Sequence, residues 1–278
     1  MATDLVKAER IVGTLRRLVL QEDIRRAKET GSLPELPESY DFLVFALAGS
    51  RTNYAQLGQD LWVLYELSQK RDGFFVEFGA GDGVLLSNTY LLETRYSWNG
   101  ILAEPCPVFH SSLPLNRRGF LSTCCVAQES GSKVIFNQTG DPHFSTIDTY
   151  TFADEHAQLR QGGKRIEVET ITLRDLLRQG KAPTNIDYLS LDTEGSELEI
   201  LSAFDFSEYQ ITLITVEHNH TPHEQEIDQL LARNGFERKF ADLSDFDGWY
   251  VNRAVLQPNS RPFVKPRHFN ALDVVSAT

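Results

Sequence analysis

The sequence is short of the features that mark secreted and membrane-spanning proteins. Its 278 residues include three cysteines, of which Cys124 and Cys125 are adjacent, and so few cysteines cannot build a disulfide framework. It also lacks an uninterrupted apolar run of membrane-spanning length and the apolar segment of an N-terminal signal peptide. We therefore expect a protein of a reducing compartment, cytoplasmic by default, without a membrane partner.

Positive charge is also scarce. Lysine and arginine number 27 against 39 aspartates and glutamates, which gives a formal net charge of −12. A chain this acidic is repelled by a phosphate backbone or an anionic membrane surface, so no nucleic-acid partner is expected. The hydrophobic content of 41% is ample for the core of one large domain with an appendage.

A short apolar run that opens into three alternating glycines organises the chain. Residues 74–83 read FFVEFGAGDG, and the length and composition of the run at 74–78 suit a central parallel strand better than a helix. Gly79, Gly81 and Gly83 permit a tight turn and let backbone N–H groups approach a ligand closely. The stretch predicts the first strand of an open α/β sheet with a ligand at its carboxyl end.

The glycine spacing favours S-adenosylmethionine over a nicotinamide or flavin cofactor. The dinucleotide fingerprint needs a third glycine at position 84, where Val84 stands. The spacing G-x-G-x-G after Glu77 is the arrangement of class I methyltransferases, whose ligand carries an ammonium and no phosphate. Glu104 ends the next apolar run, where an acid can accept both ribose hydroxyls. The alternative is that Glu77 caps a loop and Glu104 is a surface acid.

Two further apolar runs end in acidic residues. Residues 185–191 read as a buried strand followed by Asp192 and Glu194, and residues 211–216 read as the next strand, followed by Glu217 and His218. The carboxyl ends of parallel strands share one edge of the sheet, so these side chains are expected in one site beside the glycine loop.

The remaining elements are predicted from periodicity and turn residues. Leucines recur at helical spacing over residues 54–70, where Gln59 can reach the amino-acid end of the cofactor. An amphipathic helix is expected at residues 4–28, packed on the domain or on a second copy of the chain in a homo-oligomer. We place an N-terminal helical appendage at residues 1–53, the catalytic domain at residues 54–256 and a tail at residues 257–278.

The middle and the end of the domain give weaker signals. The middle predicts a third strand at residues 120–126, a strand at 133–137, a helix around 150–160, and between the last two a polar loop that closes over a substrate. Caps built by Thr172 and Thr221 begin two later helices. Residues 236–240 and 249–253, joined through Asp247 and Gly248, predict a hairpin.

The glycine stretch, the SNT sequence at 87–89, the WNGILAEP sequence at 98–105 and the IDYLSLDTEGSE sequence at 186–197 together resemble the FkbM family of methyltransferases. The resemblance implies an α/β, Rossmann-like class I methyltransferase fold, with a mostly parallel seven-stranded sheet, helices on both faces and a C-terminal antiparallel hairpin. It also implies methyl transfer from S-adenosylmethionine to a hydroxyl of a small molecule such as a sugar, a glycoside or a polyketide. The expected cofactor-binding residues are Gln59, Glu77, Gly79, Gly81, Asp82, Gly83, Asn88 and Glu104.

The wider group of cation-dependent O-methyltransferases, which the chain is similar to, places one acid after the fourth strand and two further ligands after the fifth. Asp192, Glu217 and His218 would reproduce this layout, with Asn219 as an alternative to His218, and hard oxygen ligands suit Mg²⁺ or Mn²⁺. Those enzymes often carry a basic residue where Gly195 stands here. The general base is therefore open, with Glu194 and His218 beside Asp192 as candidate catalytic residues.

Two alternative functions come from other classes. His218, His220 and His223 lie within six residues of one another and would suit the zinc site of a metallohydrolase. That reading leaves Glu77, the glycines and Glu104 unexplained. The second alternative is a binding module that keeps the cofactor pocket without catalysis.

Overall fold

The computed structural model of the chain describes residues 38–49 and 52–256. The chain divides into two units, residues 1–52 and residues 53–278. The first unit contributes helix α1 (Glu38–Gly49). The helix predicted for residues 4–28 lies outside the described residues, as does the tail at 257–278.

The second unit is built on two sheets. The strands of its described part are β1 (Phe74–Phe78), β2 (Asn99–Ala103), β3 (Phe120–Ser122), β4 (Cys125–Val126), β5 (Lys133–Gln138), β6 (Thr146–Ile147), β7 (Lys164–Ile171), β8 (Asn185–Leu191), β9 (Gln210–Glu217), β10 (Phe236–Lys239) and β11 (Asp247–Asn252). Seven of them form a sheet in the order β10-β11-β9-β8-β1-β2-β3, and the other four form a smaller sheet in the order β4-β7-β5-β6. In the larger sheet only β11 is antiparallel to its neighbours. The predicted Rossmann-like class I methyltransferase fold is confirmed.

Helices connect the strands of the larger sheet. In the described part of this unit they are α2 (Gln59–Glu66), α3 (Tyr90–Tyr96), α4 (Leu113–Asn116), α5 (Leu173–Gln179), α6 (Glu197–Ser202) and α7 (His223–Arg233). Helix α2 is shorter than the predicted span of residues 54–70. Gly58 stands before it with a left-handed φ of 82°, and Ser68 and Gln69 after it are also left-handed, so the helix cannot extend in either direction.

Pairing between the buried central strands of the larger sheet fixes where each strand ends. Strand β1 lies between β2 and β8, and Val76 pairs in register with Ile101 and Leu189, all three fully buried. Each side chain of this kind contributes about 1.5–3 kcal/mol when it leaves water, so the register is firmly held. Phe78 in turn pairs with Ala103 and Leu191. The residues that follow these strands therefore leave the sheet side by side.

The smaller sheet lies in the region that was hardest to predict. Strand β5 is confirmed at Lys133–Gln138. The third strand predicted at residues 120–126 is confirmed at Phe120–Ser122, where β3 pairs with β2, but its predicted end is wrong, because Cys125–Val126 forms β4 of the smaller sheet. The predicted helix around residues 150–160 is also wrong: the chain forms only short 3₁₀ turns at Asp148–Tyr150 and Glu155–Gln158. Arg160 is fully buried there, and the turns bring backbone carbonyls to its guanidinium.

The predicted helix caps differ in outcome. Thr172 caps α5, since its Oγ1 accepts a hydrogen bond of 3.1 Å from the Asp175 backbone N–H. The box predicted at Thr221 is wrong, because that hydroxyl donates instead to the His218 carbonyl. The β10–β11 hairpin is confirmed, although Asp247 and Gly248 lie inside β11 and the connection is residues 240–246. Within the described residues, no helix is long and apolar enough to cross a membrane.

Candidate active site

A cavity of about 200 Å³ opens at the carboxyl ends of β1, β2, β8 and β9. The glycine loop forms one wall, and the acids that follow the strands form another. The predicted substrate loop covers it, since Pro142, His143 and Phe144 line the cavity from the side of the smaller sheet. The cavity therefore lies at the edge of the sheet where the sequence predicts a ligand.

The glycine loop is shaped by its neighbours on both sides. Gly79 has a φ of 69°, and a Cβ at this position would overlap the backbone carbonyl oxygen of Asp192. A Cβ at Gly81 would lie 3.1 Å from Cε1 of His143, so the imidazole rests on the backbone of the loop. Substituting either glycine would push the loop against the next strand exit or against the covering loop.

Glu104 lies at the floor of the cavity beside this loop. One carboxylate oxygen accepts a 2.7 Å hydrogen bond from the Gly81 N–H, and the other accepts a 2.7 Å bond from the Cys106 N–H. Burial raises the pKa of Glu104 to about 7, partly offset by these two bonds. The predicted acid at the end of β2 is thus a buried group in contact with the glycine loop, and is not a surface residue.

The buried Glu77 carboxylate is hydrogen-bonded by the residues that immediately precede helix α3. Its carboxylate accepts hydrogen bonds from the Asn88 N–H at 2.8 Å and the Thr89 hydroxyl at 2.5 Å, and from the Ser87 hydroxyl. The guanidinium of Arg117 approaches to 3.3 Å. Its predicted contact with the cofactor stays a prediction, and in this structure Glu77 fixes the segment that follows the glycine loop.

Arg117 is a buried residue beside the glycine loop that the sequence analysis did not single out. It is fully buried, donates to Glu93 at 2.8 Å and also donates to the carbonyl of Gly83 at 3.1 Å. Its guanidinium lies 5.2 Å from the ring centre of Phe75, within reach of a cation–π contact. A lone arginine in a loop carries no signal of burial, because its two acidic partners are 24 and 40 residues away in the chain.

The other predicted cofactor residues, Gln59, Asp82 and Asn88, do not line the cavity. The Asp82 carboxylate accepts from the N–H groups of Val84 and Leu85 at 2.8 Å. The Asn88 amide donates to Ser190, while its buried carbonyl oxygen has no hydrogen-bond partner. Gln59 donates to Asp247 at 2.6 Å, which places the start of α2 beside the end of the sheet.

Three carboxylates meet on the opposite side of the cavity. Asp192, Glu194 and Glu217 each offer one oxygen, and these atoms all lie within 4.8 Å of one another. Burial raises the pKa of Asp192 to about 7, and the Asp247 and Glu197 carboxylates add to the rise. Burial and the Asp192 carboxylate raise the pKa of Glu217 well above its usual range. Like charges this close cannot all be ionised without a proton or a cation between them.

The chemistry of this acidic cluster (Asp192, Glu194 and Glu217) fits a divalent cation. One carboxyl oxygen of Glu217 is buried without a hydrogen-bond partner, and a buried polar atom without a partner is costly, a cost that a bound cation would remove. The donor set is all oxygen, which suits Mg²⁺ or Mn²⁺ better than zinc. Two of the three predicted ligands, Asp192 and Glu217, therefore meet, and Glu194 is the third member of the cluster.

His218 lies apart from the acidic cluster. Successive residues at the end of β9 point to opposite sides, so Glu217 and Asn219 line the cavity while the His218 ring joins His220 and Glu224. Arg238 donates to Glu224 at 2.6 Å and lies 3.1 Å from the His218 ring. A guanidinium in this place disfavours a second cation. The roles predicted for His218, as a ligand, a base or a zinc ligand with His223, stay predictions.

Arg160 is the second buried arginine that the sequence analysis did not single out, and it contacts the acidic cluster. It donates to the Glu194 carboxylate at 2.6 Å, makes two 2.9 Å bonds to Asp154 and donates to the carbonyl of Phe144. Glu194 itself has a left-handed φ of 62°, and its carbonyl accepts from the Thr146 hydroxyl. Residues 142–160, here called the covering segment, thus hold one acid of the cluster in a fixed, strained conformation.

The chain matches one family of known proteins and is distantly similar to several solved structures. The family model described as the methyltransferase FkbM domain matches residues 77–238. A TehB-like methyltransferase from Corynebacterium glutamicum, dependent on S-adenosylmethionine, is 10% identical, with 78% of this chain and 97% of that chain covered and a TM-score of 0.36. Precorrin-6y C5,15-methyltransferase from Geobacter metallireducens is 12% identical, with 65% and 71% covered and a TM-score of 0.35. No curated protein matches the chain significantly.

The family match spans more than half of the sequence, and the chain therefore belongs to the FkbM family of methyltransferases, which depend on S-adenosylmethionine.

Proposed function

We propose that this methyltransferase acts on a hydroxyl of a small molecule, with a divalent cation held by Asp192, Glu194 and Glu217. The observation that carries the proposal is the acidic cluster itself: the buried carboxylates of Glu194 and Glu217 and the half-buried one of Asp192, with oxygens within 4.8 Å of one another, on the cavity that the glycine loop also lines. A carboxylate pair in water repels only weakly, but these groups are largely shielded from solvent, which would otherwise screen them. A site of this kind suits an acceptor that must lose a proton.

Residues on two sides of the cavity have different roles, one side binding the cofactor and the other the acceptor. Glu104 and the backbone of the glycine loop are placed to hold the cofactor, since Glu104 can exchange its bond to the Gly81 N–H for bonds to ribose hydroxyls. The acidic cluster faces the acceptor. When bound, the cation supplies a template for the acceptor oxygen and Lewis acidity that lowers the pKa of the hydroxyl.

Holding the two reactants in line is the main demand of methyl transfer, because the sulfonium is already an activated donor. The covering segment meets this demand by fixing Glu194 through Arg160 and by resting His143 on Gly81. Both contacts come from the same part of the chain, residues 142–160. Several residues of this segment line the cavity, and charge interactions are stronger where such residues displace water.

Metal binding tests the proposal without an acceptor. Mn²⁺ added to protein freed of metal by a chelator should bind at one site per chain, and Glu217→Gln should weaken that binding by more than about tenfold, because it removes a charged ligand and keeps its shape. Free Mn²⁺ is measured by electron paramagnetic resonance.

Glu224→Gln is the matched control, since Glu224 belongs to the histidine group outside the cavity. This variant should bind Mn²⁺ as the wild type does. Loss of binding in Glu224→Gln and retention in Glu217→Gln would locate the cation at the histidine group and overturn the assignment.

The pKa of Glu104 predicts a pH dependence of cofactor binding. Only the ionised carboxylate accepts two hydroxyls, and its pKa is raised to about 7, so affinity should rise as the pH rises. Between pH 6 and pH 8 the ionised fraction, and with it the affinity for S-adenosylhomocysteine, should increase roughly tenfold. Calorimetry measures the change. Glu104→Gln should bind more weakly and lose the pH dependence, and a variant that kept it would assign the titration to another group.

A further inference from the structure

Two leucines are exposed where the cavity opens. Leu85 and Leu86 keep 57% and 42% of their surface exposed, and both line the cavity together with Gln56. Nine large hydrophobic side chains are exposed in the described part of the chain, and these two are the ones that line the cavity. Single exposed leucines are common on protein surfaces, but a pair at the opening of an active site points to a ligand.

The pair, here called the leucine lip, is held in a defined conformation. Leu86 has a left-handed φ of 61°, which leucine adopts at a cost because its Cβ crowds the backbone. A β-bridge to Ala55 holds its backbone, and the Asp82 carboxylate accepts the N–H groups of Val84 and Leu85. Strain of this kind persists where the surrounding structure enforces it, and it concentrates at sites that bind ligands.

The lip and the acidic cluster are parts of one cavity. Asp192, Glu194 and Glu217 line it where β8 and β9 end, and Leu85 and Leu86 line it where it meets solvent. A molecule whose hydroxyl lies at the acidic cluster extends along the cavity towards the lip. A purely polar sugar in that position would leave both leucines facing polar groups, with no gain from their burial.

We infer that Leu85 and Leu86 bind an apolar part of the methyl acceptor, so that the acceptor is an amphipathic alcohol, with a hydroxyl at one end and a hydrocarbon portion at the other. The inference rests on the proposed function, because it takes the acceptor hydroxyl to lie at the acidic cluster. It narrows the acceptor from any small hydroxyl compound to one with an apolar flank, such as an alkyl or aryl glycoside or a polyketide.

The test uses 1,2-alkanediols of increasing chain length, which keep the polar end constant. They are titrated by calorimetry into protein saturated with S-adenosylhomocysteine and Mg²⁺. Each methylene that leaves water strengthens binding about fourfold, so 1,2-octanediol should bind at least tenfold more tightly than 1,2-propanediol. The double variant Leu85→Asn/Leu86→Asn should lose most of this gain. Asparagine tolerates the left-handed backbone of Leu86, so the loop keeps its shape.

Leu115→Asn is the matched control, because Leu115 is 86% exposed and lies outside the cavity. It should keep the full dependence on chain length. Equal affinity for all diols in the wild type would overturn the inference, and so would an undiminished gain in the double variant. If the double variant changes only the oligomeric state, measured by light scattering, the lip belongs to a contact between copies and the inference is wrong. Binding is measured without turnover, so failure of metal-dependent O-methylation would be seen separately.

Discussion

Replacing Asp192 with asparagine is expected to lower methyl transfer by several orders of magnitude while the affinity for S-adenosylhomocysteine changes little. Asp192 is a half-buried member of the acidic cluster, and its backbone carbonyl lies against Gly79 of the glycine loop. The substitution keeps the shape of the side chain and removes the charge that is proposed to hold a cation, so the loss is expected in the transition state. Turnover is measured as S-adenosylhomocysteine released with an acceptor found by screening alcohols, glycosides and polyketides.

Asp187→Asn is the matched control for this experiment. Asp187 belongs to the same strand but lies at its other end, where it accepts from Lys70 at 2.6 Å and from the Phe74 N–H. It should therefore affect turnover little. A chelator should reproduce the Asp192→Asn loss in the wild type, and Mg²⁺ or Mn²⁺ should restore the rate. Full activity of the wild type in excess chelator would rule out the cation and leave a direct general base as the mechanism.

Replacing Arg117 with methionine is expected to destabilise the fold by about 3–5 kcal/mol, because it removes the buried cation that two buried carboxylates share. The guanidinium lies 3.3 Å from Glu77 and 2.8 Å from Glu93, and all three side chains are at least 96% buried. The same change should weaken cofactor binding, since Arg117 also holds the carbonyl of Gly83. Denaturant unfolding measures the free energy, and calorimetry measures the affinity.

The adjacent Arg118 provides the control. Its guanidinium lies 3.6 Å from the same Glu93, but the side chain is 79% exposed. Surface ion pairs contribute about 0–1 kcal/mol, so Arg118→Met should change the unfolding free energy by less than about 1 kcal/mol. Equal destabilisation by the two variants would mean that the buried network is not what holds the loop.

The strands at the cofactor edge were predictable because their signal is local. Phe74–Phe78, Asn185–Leu191 and Gln210–Glu217 are short apolar runs flanked by turn residues or acids, and a parallel sheet brings the ends of such runs together whatever the rest of the chain does. The meeting of Asp192, Glu194 and Glu217 follows from that topology. The orientation of His218 was harder, because it depends on how far the strand pairing continues past Glu217.

The covering segment was not predictable, because its structure depends on contacts between residues that are distant in the chain. Residues 150–160 have the composition of a helix. The fully buried Arg160, however, donates to the carbonyls of Phe144 and Tyr150 and to the carboxylates of Asp154 and Glu194. In an α-helix the carbonyl of Tyr150 would accept a hydrogen bond from a backbone N–H instead of from Arg160. The bonds to Arg160 therefore favour 3₁₀ turns over an α-helix. The partners of Arg160 and Arg117 are fixed by tertiary packing, and a single sequence carries no record of such pairs.

The hydrogen bond between Gln59 and Asp247 joins residues 188 positions apart, and the rings of Trp62 and Trp249 stack beside it at 5.3 Å. Strand β11 lies between β9 and β10, so it enters the sheet after almost the entire domain has been synthesised. Until then the edge of β9 beside Glu217 is unpaired and α2 lacks its partner. A ribosome-bound chain that stops before residue 247 should therefore be open to proteases at this edge, and completion of the active site should be a late step, slowed by the loop closure that so distant a pairing requires.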